Sequence, residues 1–103
     1  MSANTELVEK VTIKNKDVIK DIKKWNVIFY NDDFTSVDFV IGVLMEIFNY
    51  DESSATDLTY KIHDEGSAIV GTYIYEIAEQ KCADTLYVAY AEGFPLQVKM
   101  KQA

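Results

Sequence analysis

The stretch Trp25-Asn-Val-Ile-Phe-Tyr30 runs without a break into Asn31-Asp32-Asp33-Phe34-Thr35, and this junction constrains the fold more than any other part of the 103-residue chain. Aromatic and β-branched residues packed this densely predict a strand, and three short polar side chains end it because they compete for nearby backbone groups. A helix follows at once. Thr35 reads as its N-cap with Asp38 three residues on, and Val37, Val40, Ile41, Leu44 and Phe48 recur at helical spacing. The elbow is therefore pinned between two ordered elements. Its side chains can serve as a turn, as a cap, or as a set of acceptors for a cation, and a turn is the plainest of the three on local sequence.

After a break at Asn49-Tyr50-Asp51, Asp51 or Ser53 can cap a second helix with Ala55, Leu58 and Ile62 on its inner face and Gly66 as its stop. His63 falls in the last turn, where a histidine suits the helix dipole; a capping or half-buried role and a binding role are both open there. Ser67 to Tyr73 reads as a second strand with a close backbone approach at Gly71. A third helix, Ile74 to Ala91, carries the stripe Tyr75, Ala78, Cys82, Leu86 and Ala89 and ends at Gly93. Past Pro95, Leu96, Val98 and Met100 alternate with Gln97, Lys99 and Lys101 as in a half-buried strand.

The expected fold class is α+β: a single small domain in the order β-α-α-β-α-β, with a three-stranded, mainly antiparallel sheet carrying its helices on one side. That domain is expected over residues 25–103. Residues 1–24 mix Lys, Glu, Asp, Asn and Thr with isolated Val and Ile, and read as a mobile N-terminal arm that includes a candidate short amphipathic helix in Asp17 to Lys24.

Charge narrows the partners. The formal net charge is -7, but the arm holds six Lys against four acids while residues 25–103 hold four Lys against thirteen. So acidic a domain repels nucleic acid and anionic membranes and draws in cationic partners. The chain has no arginine, the residue best suited to bidentate phosphate and base-edge recognition. One cysteine, Cys82, excludes an internal disulfide, and a single histidine leaves no Cys/His set for zinc; no metal or cofactor is expected. The four glycines are scattered, so no phosphate-binding loop is present. A hydrolase built on His63 with Ser67 or Asp64 lacks a nucleophile elbow and an oxyanion glycine, which argues against an enzyme. No signal peptide or membrane-spanning run is visible, and the expected protein is cytoplasmic, with a plastid stroma as the other compartment that fits.

The ordered set Asn31-Asp32-Asp33-Phe34-Thr35, Phe39-Val40, Ile62-His63, Gly66-x-Ala68-x-x-Gly71, Glu76-x-Ala78-Glu79-x-Lys81 and Pro95-Leu96 resembles the ClpS family of Clp protease adaptors. The resemblance covers everything after the arm. It implies an adaptor of the N-degron pathway, which holds proteins by a destabilising N-terminal residue (Leu, Phe, Tyr or Trp) and hands them to a ClpA-like or ClpC-like AAA+ unfoldase. By position, Asn31 and His63 would then hydrogen-bond the α-ammonium group, Asp32 would accept from it or from the adjacent peptide, and Asp33 and Thr35 would line the rim. Val37, Val40, Ile62 and Leu96, with Thr59 near the floor, would form the pocket for the first side chain.

The same resemblance assigns Glu76 and Lys81 to unfoldase contact and the arm to delivery; a monomer is expected. Family members often carry Met at Val37, a larger apolar residue at Thr59 and Pro at Ser36. The first two departures imply a wider pocket that also accepts Ile or Val. A modulator that docks on the unfoldase without binding N-degrons is the alternative function.

Overall fold

The computed structural model describes residues 22–103, and within them six elements follow in the expected order. These are β1 (Lys24–Tyr30), α1 (Val37–Glu46), α2 (Glu52–Glu65), β2 (Ser67–Ile74), α3 (Tyr75–Glu92) and β3 (Gln97–Gln102). The arm and its candidate helix lie outside the described residues except for Ile22, Lys23 and Lys24, and Lys24 already belongs to β1.

The sheet has the order β2-β1-β3 and is antiparallel throughout. Val27 and Phe29 of β1 are fully buried against the helices, whereas their neighbours Asn26, Ile28 and Tyr30 are only half-buried on the other face. The period of two thus decides which side the helices cover. Phe29 meets Phe48 edge to face at 5.4 Å, and Leu44, Val70, Ala78 and Ala89 close the core around them.

The pairing of β1 with β2 slips between Val27 and Ile28, which face Gly71 and Ile69, so Val70 is the extra residue of a bulge. The Val70 carbonyl accepts the Tyr50 hydroxyl at 2.5 Å, which ties the α1–α2 connection to the sheet. The close approach at Gly71 is made by a ring rather than by a backbone. A Cβ there would stand 2.6 Å from Cζ of Tyr73, whose ring lies over the glycine.

Two helical details differ from the sequence reading. The N-cap of α1 is Ser36, whose hydroxyl accepts from the Phe39 N–H at 3.1 Å, because the Thr35 hydroxyl is already engaged within the elbow. On α3 the buried stripe is Ala78, Cys82, Thr85 and Ala89, with Leu86 and Tyr75 largely exposed. Thr85 can be buried because its hydroxyl donates to the Lys81 carbonyl at 2.8 Å and so loses no hydrogen bond. The α2 cap follows expectation: Asp51 accepts from the Ser54 N–H at 2.7 Å.

Candidate functional site

The elbow is built on one carboxylate. Asp32 Oδ1 accepts the backbone N–H groups of Phe34 at 2.8 Å and Thr35 at 2.7 Å, and Oδ2 accepts the Thr35 hydroxyl at 2.7 Å. Partial burial pushes the Asp32 carboxyl up, but these three bonds outweigh it and hold the group below its ordinary value. The chain turns here because the anion neutralises donors that neither β1 nor α1 can use. Ser36 then starts the helix that carries Val37 and Val40.

Asn31 and His63 are brought together by the end of α2. Gly66 closes that helix at φ 88°, a left-handed conformation that costs a glycine little, and its carbonyl accepts the Asn31 N–H at 2.9 Å. The last turn of α2 is thereby stapled to the end of β1. The Asn31 side chain is exposed and makes no hydrogen bond among the described residues. His63 is also exposed, with Nδ1 3.3 Å from the Asp64 carboxylate, a contact that favours a proton on Nδ1 and leaves Nε2 as an acceptor.

Beside this polar group lies a cavity of about 380 Å³. Its lining includes Asn31, Asp32, Asp33, Thr35 and His63 on the polar side. Val37, Val40, Thr59, Ile62 and Leu96 line it on the apolar side. Three elements and the approach to β3 therefore converge on one concavity. Val40, Ile62 and Leu96 are buried, whereas Val37 is 37 % exposed and stands toward the mouth. Thr59 is buried and donates its hydroxyl to the Ala55 carbonyl at 2.7 Å, so its polar atom is spent within α2. Phe29, Tyr30, Phe34 and Ser36 also line the cavity and were given no role from sequence. In sequence Phe29 stands only in the strand stretch and Phe34 only in the string from Asn31 to Thr35.

Glu76 and Lys81 lie away from this cavity, on α3. Glu76 is exposed in the first turn. Lys81 is half-buried: its Nζ donates to the Ile47 carbonyl at 2.6 Å and sits 5.5 Å and 5.2 Å from the ring centres of Phe48 and Tyr73. It compensates the C-terminal end of α1, whose last turn has no basic residue of its own.

An antiparallel sheet with helices on one face and a half-polar, half-apolar cavity at its strand–helix elbow defines a small ligand-binding domain. A family model described as ATP-dependent Clp protease adaptor protein ClpS matches residues 20–99. The chain is 43% identical over 94 residues to the ClpS adapter protein of Treponema denticola, covering 91% of this chain and 92% of that one. It is 38% identical over 100 residues to that of Clostridium acetobutylicum, covering 97% of each. Agrobacterium tumefaciens ClpS2, solved bound to L-phenylalaninamide, superposes with a TM-score of 0.77 at 30% identity, over 80% of this chain and 99% of that one. The chain belongs to the ClpS family of ATP-dependent Clp protease adaptors. The family is one of protease adaptors, not of proteases.

Proposed function

We propose that this adaptor binds proteins by a bulky apolar N-terminal residue and delivers them, as a cytoplasmic monomer, to a ClpA-like or ClpC-like AAA+ unfoldase. The observation that carries the reading is the junction of free polar acceptors with an apolar cavity at one elbow. An α-ammonium carries three donors. The Asn31 carbonyl, the His63 Nε2 and the remaining lone pairs of Asp32 form a matching set of acceptors, and Asp33 and Thr35 complete the rim. Ligand chemistry in the Agrobacterium relative agrees, since phenylalaninamide pairs a free amine with a bulky apolar side chain.

Magnitudes support affinity in the micromolar range. Burying a Leu or Phe side chain contributes about 1.5–3 kcal/mol, and each hydrogen bond between charged partners about the same. Losses of translational and side-chain freedom offset part of that sum. A panel of peptides differing only in the first residue tests the reading. Leu, Phe, Tyr and Trp are expected to bind at micromolar concentration, and Ile and Val measurably, because Val37 and Thr59 leave room for branching at Cβ. If Ile and Val bind no better than Ala, the pocket is not widened; if Leu and Phe bind no better than Ala, no N-terminal residue is recognised.

For the unfoldase, the exposed side of α3 is the proposed contact, with Glu76 and Lys81 at its centre. Lys81 is a poor site for charge reversal, since an acid there would face the Ile47 carbonyl and disturb α1. Glu76→Lys is the cleaner variant. It is expected to abolish association with the unfoldase in a pull-down while peptide affinity stays within about twofold, because Glu76 makes no contact with the cavity. Retained association would move the docking surface elsewhere.

A further inference from the structure

Phe34 is 77 % exposed, yet it lines the same cavity as the polar elbow. Its ring belongs neither to the buried core nor to any aromatic pair among the described residues. Its backbone, however, is held: the N–H donates to Asp32 Oδ1 at 2.8 Å, in the bond set that shapes the elbow. A large apolar side chain is thus presented to solvent at the mouth at small further cost in backbone order. The other large apolar residues of the lining differ. Phe29, Val40, Ile62 and Leu96 are buried, and Val37 is far less exposed than Phe34.

A chain whose first side chain fills the cavity, as proposed above, and whose amine is held by Asn31 and His63 must leave through this mouth. Its second residue then passes the elbow. We propose that Phe34 forms a subsite for the second residue of the bound chain, one that takes an apolar or aromatic side chain. The ring offers a flat apolar surface, and contact with a second ring or an aliphatic group removes area from water on both sides. With the Phe34 backbone already fixed, only two side-chain torsions remain to be ordered on binding.

The test uses three peptides that begin Leu-Phe, Leu-Leu and Leu-Gly and are otherwise identical, titrated against the wild type, Phe34→Ala and Phe34→Tyr. In the wild type and in Phe34→Tyr, Leu-Phe and Leu-Leu are expected to bind about two- to tenfold tighter than Leu-Gly, the range that one aromatic contact supports. In Phe34→Ala that ratio should fall to about one. The ratio is insensitive to any loss shared by the three peptides. A ratio that survives in Phe34→Ala overturns the subsite, and so does a wild type that binds all three alike. Failure of folded wild type to bind any of the three would overturn the first-residue reading and the subsite with it.

Discussion

Asp32→Ala is expected to weaken binding of a peptide with N-terminal leucine by at least about 100-fold, measured by fluorescence anisotropy on a folded sample. Two backbone N–H groups and the Thr35 hydroxyl converge on this carboxylate. Bonds to a charged group are each worth about 1.5–3 kcal/mol, and about 1.4 kcal/mol is a factor of ten in affinity. Alanine removes the anion that would face the ammonium and also releases Phe34 and Thr35 from the turn. Asp32→Asn separates the two effects. It keeps an acceptor for the backbone N–H groups but loses the charge, and should fall between wild type and alanine. Binding by Asp32→Ala within a few-fold of wild type would remove Asp32 from the site.

The pH response follows from the same residue. A carboxyl held below its ordinary value in the folded state contributes stability above the unfolded value and loses it only as pH falls through the folded one. The elbow should therefore stay intact under mildly acidic conditions.

Phe29→Ala should lower stability by about 3–5 kcal/mol, read from urea unfolding, out of the roughly 5–15 kcal/mol typical of a domain. Phe29 is fully buried on the central strand, packs edge to face on Phe48 and also lines the cavity. Its loss leaves a void in the core just where β1 leads into the elbow. Binding should weaken as well, because Phe29 is itself part of the cavity lining. A cost below about 1 kcal/mol would mean that the site collapses around the smaller side chain.

Much of this architecture is legible in the chain. The alternation in β1, the Asp51 cap and the Gly66 stop obey local rules, and they place every element in order. What misleads is threonine. Thr85 takes the buried place on α3 that the helical spacing assigns to Leu86, because back-bonding to the Lys81 carbonyl removes the cost of its hydroxyl. At the elbow, Thr35 looks like a helix cap but spends its hydroxyl on Asp32, and Ser36 takes the role. The resemblance gives Lys81 only a contact role, and its bond to Ile47 links residues 34 apart in sequence, a distance no periodicity reports. For the candidate site, the family motif places Asn31, Asp32, His63 and the apolar lining, whereas Phe34 stands in that motif with no sign of its exposed place at the cavity. An aromatic side chain in a turn carries no local signal until the shape of the mouth is known.

Recognition at the elbow is expected to require a free α-ammonium group next to a bulky side chain. Its most direct test titrates a fluorescent peptide beginning with leucine, and its N-acetylated twin, against the folded wild type. Micromolar binding of the free amine together with at least about 100-fold weaker binding of the acetylated peptide is the expected result. Equal affinity for the two, or none for either, would contradict it.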